Sequence, residues 1–306
     1  MKLVILLSTY NGTLYLEDFL TSLEKQTYQN WELIVRDDAS SDDTLVILQK
    51  FSDKINKVSI LKDRQNLGVK KSFSTLVNVA LQSHEQYEYI MFADQDDIWL
   101  PDKIEKTYLK MKEFEKSYSS FPLLVHSDIR VVDKKLNVLA SSFWSYQHID
   151  PKRDQLNYLL LHNIVTGCTV MINRALAEKV KTIPHEAIMH DWWMAMVASA
   201  FGKIGYIDEP LMLYRQHGTN DTGAKNYGWG YFIKKFRERP RLDRYLIQAE
   251  MFLSMYEDKL DDNSKGMLLV LKDFNSFSKF KKIQVIIKYK LWKNGFIRNI
   301  GLLVNT

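Results

Sequence analysis

The 306 residues suffice for one large α/β domain with a smaller appendage, and 46% hydrophobic content excludes disorder as the main state. A single cysteine, Cys168, excludes an internal disulfide framework and fits a reducing compartment. The net charge of +5 is uneven: residues 225–306 carry 17 Lys and Arg against 8 Asp and Glu, leaving residues 1–224 at −4. Residues 2–8 read as a buried parallel strand, followed by a loop at 9–12 and a helix whose apolar face holds Leu14, Leu16, Phe19, Leu20 and Leu23. A second strand spans 31–35. Asp42 is placed to cap a helix with Leu45, Ile47, Leu48 and Phe51 inward. A short strand at 58–61 precedes the turn Asn66-Leu67-Gly68 and a helix through Phe73, Leu76, Val77 and Ala80. The run Tyr89-Ile90-Met91-Phe92-Ala93 then forms a strand ending at Asp94. Strands alternating with amphipathic helices predict a parallel sheet covered on both faces.

Beyond Pro101 the alternation weakens. The spacing predicts a lysine-rich helix to about residue 118, a strand over 122–127 and a hairpin over 128–139 around Asp133-Lys134-Lys135. A further strand at 169–172, a helix at 191–201 and an extended segment at 206–215 follow. Residues 218–230 read as a loop with four glycines, and 232–255 and 265–303 read mostly as helices. The boundary falls there: a catalytic domain over 1–225 and a basic helical region over 226–306.

The acidic run Asp94-Gln95-Asp96-Asp97 sits where a buried strand ends. Carboxylates this close raise one another's pKa unless something positive lies between them. A divalent cation carrying a diphosphate meets that need, and hard oxygen ligands suit Mg²⁺ or Mn²⁺. The alternative is a solvated acidic turn before the helix at Pro101. In open α/β sheets ligands bind beyond the carboxyl ends of the strands. Those ends carry Ser8-Thr9, Asp37-Asp38 and Asp94-Gln95-Asp96, a convergence that favours a site.

The ordered set Leu7-Ser8-Thr9-Tyr10-Asn11-Gly12, Gln26-Thr27-Tyr28, Val35-Arg36-Asp37-Asp38-Ala39-Ser40-Ser41-Asp42, Asn66-Leu67-Gly68, Asp94-Gln95-Asp96-Asp97 and His190-Asp191-Trp192-Trp193 resembles family 2 glycosyltransferases of the GT-A fold. The resemblance covers about residues 1–225. Asp-Gln-Asp-Asp-Ile-Trp, Val165-Thr166-Gly167-Cys168-Thr169 and Tyr214-Arg215-Gln216-His217 further resemble bacterial rhamnosyltransferases of cell-wall and capsular polysaccharides. The resemblance implies inverting, metal-dependent transfer of L-rhamnose from dTDP-rhamnose to a growing, lipid-linked glycan. A UDP-hexose donor, or a non-catalytic binding subunit, is the alternative.

It also implies roles for residues. Asp191 is the general base, and Asp96 and His217 meet Mn²⁺ or Mg²⁺. Ser8, Thr9, Tyr10, Asn11, Asp38, Gly68, Lys71, Asp94, Gln95 and Arg215 hold the nucleotide sugar, with Asp38 accepting from N3–H of a pyrimidine and Arg215 meeting the leaving diphosphate. Asp97 supports the turn. Trp99, His190, Trp192 and Trp193 face acceptor or donor sugar, although at least one of the tryptophans is expected in the core.

From residue 274 onward no acid occurs. Phe280, Ile283, Ile287 and Leu291 suggest one apolar stripe among lysines, suited either to an anionic membrane or to packing on the catalytic domain or a second subunit. No nucleic-acid module accompanies this charge. No run approaches the roughly 20 apolar residues of a membrane span, and the N-terminal apolar run breaks too early for a secretory signal. The expectation is a cytoplasmic protein, peripheral at the inner face of the plasma membrane.

Overall fold

The computed structural model describes residues 2–61, 65–83, 86–217 and 242–304. Its first half is the anticipated alternation: β1 (Leu3–Thr9), α1 (Leu16–Glu24), β2 (Trp31–Asp37), α2 (Thr44–Lys54), β3 (Val58–Ile60), α3 (Gly68–Gln82) and β4 (Tyr89–Ala93). These strands lie in the order β3-β2-β1-β4, all parallel, with Leu7 opposite Val35 on one side and Ala93 on the other. Period-two alternation splits β1 between two cores: Val4 and Leu6 pack on one face of the sheet, Leu3, Ile5 and Leu7 on the other. The N-cap position of α2 is Asp43, without a side-chain cap bond; Asp42, one residue earlier than a cap, accepts from the Thr44 N–H at 3.1 Å and reaches back to the Thr13 N–H.

The second half curls the sheet. It contains β5 (Ile98–Trp99), α4 (Lys103–Tyr118), β6 (Leu123–Asp133), β7 (Val138–Ala140), α5 (Phe143–Gln147), α6 (Leu156–Leu159), β8 (Met171–Asn173), α7 (Arg174–Val180), α8 (His190–Phe201) and β9 (Lys203–Gln216). The order continues β4-β8-β6-β9-β5, with β7 on β6 as the expected hairpin. The strand anticipated at 122–127 runs on to Asp133, and Pro210 is accommodated in β9 beside a register shift opposite Asp128. Because β8 is antiparallel to both β4 and β6, while β9 is parallel to β6, strands β1, β2, β4, β6 and β9 all end at one edge. The residues just before β8 arrive at that same edge from the opposite direction.

Four further helices, α9 (Asp243–Tyr256), α10 (Asp262–Lys272), α11 (Lys279–Lys288) and α12 (Phe296–Val304), pack on the sheet's helical layer. Phe252, Leu253, Leu268, Leu271, Val285 and Ile286 share one core with Trp193 and Met196 of α8. The anticipated domain boundary and the loop over 218–230 lie outside the described residues. The anticipated stripe Phe280, Ile283, Ile287, Leu291 is corrected in part: Phe280 and Ile287 are exposed, but Ile283 is half-buried, α11 ends at Lys288, and Leu291 is buried. No helix among the described residues is long and apolar enough to cross a membrane.

Candidate active site

Backbone and side chains of the β1 and β2 ends are laced together. Thr9 Oγ1 donates to Asp37 Oδ1 at 2.8 Å, and Asp37 also accepts from the Ser40 N–H and hydroxyl. Asn11 sits at φ 46°, its N–H donating to Ser40 Oγ and its Oδ1 accepting from the Ser41 N–H. Asp38 is buried and accepts from the Leu67 N–H at 2.7 Å, the Gly68 N–H at 2.8 Å, the Ser72 hydroxyl and the Arg36 guanidinium. Burial pushes its pKa up, but the bonds from Leu67, Arg36, Gly68 and Ser72 outweigh burial and leave it below the ordinary carboxylate value. Gly68 therefore acts by holding Asp38, while Lys71 is exposed at the start of α3 and Ser8 is half-buried at the end of β1.

Gln95 has a structural task. Its Oε1 accepts from the Tyr10 N–H at 2.9 Å and its Nε2 donates to the Tyr10 carbonyl at 2.8 Å, zipping the β1–α1 loop to the acidic turn. A Cβ at Gly12 would come within 2.4 Å of Gln95 Oε1, so only glycine lets this amide lie flat on the loop. The Tyr10 ring itself is half exposed.

The acidic turn presents its members differently. Asp96 Oδ2 meets His217 Nε2 at 2.7 Å, and both side chains retain access to solvent. Asp97 is fully enclosed, its Oδ1 accepting the Arg215 N–H; burial, with the Asp96 and Asp94 charges adding, holds it well above the usual carboxylate range. Two sets of side chains here carry metal-ligating atoms. Asp94, Asp97 and Cys168 bring ligand atoms within 4.8 Å of one another, but Asp97 and Cys168 are buried and both are pushed toward their protonated forms. Asp96 and His217 are the pair that solvent reaches, and the Asp96 carboxylate is the hard oxygen donor that suits Mn²⁺ or Mg²⁺, with the His217 nitrogen beside it. Asp94, half-buried, belongs to the first set.

Arg215 corrects an expectation. Only 3% exposed, it donates from Nε to the Asp96 carbonyl, from Nη1 to the Lys134 carbonyl and from Nη2 to Asp18 Oδ2 at 2.7 Å, under the Tyr15 ring. The guanidinium is committed to holding the acidic turn against α1 and the β6–β7 hairpin, so it does not face a diphosphate. Tyr15 also packs on His217, ring centres 4.8 Å apart.

Asp191, at the N-terminal end of α8, is 8% exposed. Its Oδ2 accepts the Gly167 N–H at 2.9 Å and its Oδ1 the Trp192 N–H at 2.6 Å. Burial pushes its pKa up to about 6 against the lowering effect of those bonds. Gly167 joins the two halves of the site: it binds Asp191, and its neighbour Cys168 touches Asp97. Asp191 and the acidic turn thus meet consecutive residues of the short turn that precedes β8.

The aromatic walls are largely corrected. Trp99 is 2% exposed and packs edge-on to Phe19, with Lys103 Nζ 4.8 Å above its ring. Trp193 is 0% exposed and packs on Phe252 and Tyr256. His190 is buried, stacked on Phe73 and roofed by Gly167, and burial lowers its pKa to about 3, so it is a neutral core ring and not a sugar contact. Trp192 alone is half-buried, its Nε1 donating to the Leu159 carbonyl. Sequence reasoning missed Tyr15, Asp18 and Gly167–Cys168 as organisers. The Thr166-Gly167-Cys168 motif was the available signal; Tyr15 and Asp18 left none, being two polar positions on an ordinary helix start.

Comparison with known proteins follows the same lines. The model of glycosyl transferase family 2 matches residues 4–180. The dTDP-rhamnosyl transferase RfbG of Shigella flexneri is 31% identical over 233 residues, covering 71% of this chain and 74% of its own. Among solved structures, Staphylococcus aureus TarS 1–349 in complex with UDP superposes with a TM-score of 0.55 at 20% identity, over 93% of this chain and 75% of that one. A mannosyltransferase from Pyrobaculum calidifontis in complex with GDP-Man and Mn²⁺ gives 0.55 at 14% identity, over 99% of this chain and 78% of that one. These likenesses carry the fold, GT-A. The chain belongs to glycosyl transferase family 2.

Proposed function

We propose that this glycosyltransferase inverts the anomeric centre of its donor, using Asp191 as general base, and that Asp96 and His217 hold a divalent cation at the nucleotide diphosphate. The observation that carries this reading is the buried Asp191, raised to about 6 and fixed by the Gly167 and Trp192 N–H groups one residue away from the contact to the acidic turn. Besides the Gly167 and Trp192 N–H groups the carboxylate accepts from the Asn163 side chain, and in this reading its remaining acceptor capacity meets the acceptor hydroxyl. Asp191 takes that proton as the hydroxyl oxygen attacks the anomeric carbon from the face opposite the departing diphosphate; a single in-line displacement inverts the centre. A bound Mn²⁺ or Mg²⁺ supplies charge neutralisation for the leaving diphosphate. Asp38, held by four donors, keeps acceptor capacity on Oδ2 for a pyrimidine N3–H, with Thr9 to Asn11 beside base and ribose. Asp97 and Arg215 keep the turn in place.

The donor in this reading is dTDP-rhamnose and the acceptor a growing, lipid-linked bacterial surface polysaccharide. Similarity to RfbG and the Asp-Gln-Asp-Asp-Ile-Trp motif support it. Thymine and uracil offer Asp38 the same N3–H, so the base contact does not separate dTDP- from UDP-sugars. Donor hydrolysis and thermal stabilisation across dTDP-rhamnose, UDP-glucose, UDP-galactose and UDP-N-acetylglucosamine, with and without Mn²⁺, provide the test. The expected result is metal-dependent turnover of dTDP-rhamnose alone; turnover of a UDP-hexose in its place replaces the donor, and turnover of none removes the reading.

A further inference from the structure

We infer that the outward face of α11 and α12 docks on the surface of an anionic lipid bilayer, with Phe280, Ile287, Phe296, Ile300 and Val304 entering its interfacial layer. On α11, Phe280, Lys281, Gln284, Ile287 and Lys288 are exposed and share one side of the helix, Lys279 is exposed at its first position, and Val285 and Ile286 are buried on the other side. Phe280 is 72% and Ile287 58% exposed. On α12 the residues Phe296, Ile300 and Val304, each four apart, are 80%, 38% and 54% exposed. A helix stripe made wholly of large apolar side chains and turned to solvent lacks a partner within the described residues.

The stripe is held outward. Leu302 on the opposite side of α12 is 3% exposed, and Arg298 donates to the Gln147 carbonyl at the end of α5. Lys279 Nζ donates to the Val304 carbonyl at 3.0 Å, tying the end of α12 to the start of α11. The two stripes therefore belong to one surface unit. The helices are short, ten and nine residues, so they lie along a membrane and do not enter it lengthwise.

Charge selects the occupant. Residues 274–306 hold seven Lys and Arg and no Asp or Glu, and Lys279, Lys281, Lys288 and Lys290 are exposed beside the apolar side chains. A two-fold dimer through this face would set two such basic surfaces against each other, which costs repulsion. Anionic headgroups complement the lysines, whose stems lie on acyl surface while their ammonium groups reach the phosphates. The inference deepens the proposed lipid-linked acceptor by giving the enzyme a way to stay beside it, but its test does not depend on catalysis.

Co-sedimentation of the full chain with vesicles of phosphatidylcholine, with or without phosphatidylglycerol, tests this. The wild type is expected to bind the anionic vesicles about tenfold or more better than the neutral ones. The double variants Phe280→Ser/Phe296→Ser and Lys281→Gln/Lys288→Gln are each expected to lose about tenfold of that binding, while nucleotide binding, read separately as a check of folding, stays unchanged. Equal wild-type binding to both vesicle types, or undiminished binding by the lysine pair (which lies wholly on the surface and leaves the fold intact), overturns the inference. So does a wild-type dimer in analytical ultracentrifugation that the Phe280→Ser/Phe296→Ser variant converts to monomer. Either result leaves the transferase reading standing, since that reading falls only with nucleotide binding and turnover.

Discussion

At Asp191 two opposed effects set the chemistry. Enclosure raises the carboxyl to about 6, while the Gly167 and Trp192 N–H groups stop it rising further. As the proposed base, the carboxylate is then strong enough to receive a proton yet ionised at neutral pH. With the folded pKa above the ordinary carboxylate value, the protonated and inactive form persists to higher pH than for an exposed aspartate. The pH profile of kcat/KM should therefore rise through an acid limb with an apparent pKa of about 6 and level off above it. A limb at the ordinary value near 4 would assign the ionisation to another carboxylate. Trp193 makes a different residue-scale case. Fully buried against Phe252 and Tyr256, it should behave as core: Trp193→Ala should lower unfolding stability by about 3–5 kcal/mol and leave KM for the donor within about twofold. A large KM effect with stability intact would return the ring to the sugar site.

At the scale of elements, the site is loops stitched to strand ends. The double hydrogen bond between Gln95 and Tyr10 joins the ends of β1 and β4, and Gly12 leaves room for it. Gly12→Ala should weaken nucleotide binding about tenfold by displacing that amide, since each lost hydrogen bond is worth roughly 1 kcal/mol. In a Gln95→Ala background the same substitution should cost little, because the clash is gone; isothermal titration of the four proteins reads this coupling directly, and additive losses would disprove it. The strand and helix pattern that makes these ends converge was legible in the sequence, as were Asp38, Asp96 and Asp191 as the acids brought to one edge. What was not legible is which aromatic and cationic side chains point inward. Trp99, Trp193, His190 and Arg215 stand in or beside the motifs, yet their orientation depends on α1, α3 and α9, elements distant in sequence whose packing leaves no local signature.

For the whole molecule, the curled sheet is the device that brings distant segments together. Its antiparallel β8 carries Gly167 and Cys168 to the edge where the parallel strands end, and β9 brings His217 to Asp96 across 121 residues of chain. The C-terminal helices close one core with α8, so the helix that carries Asp191 is braced from behind. In the proposed reading this arrangement separates two duties: the acidic turn with His217 serves the nucleotide and cation, and Asp191 serves the acceptor. The most direct test of that division is Asp191→Asn, assayed in parallel for sugar transfer and for Mn²⁺-dependent nucleotide binding. Transfer should fall by about 10²–10⁴-fold while the nucleotide Kd stays within about twofold. A variant that still transfers sugar at the wild-type rate, or that loses nucleotide binding together with transfer, would contradict the account.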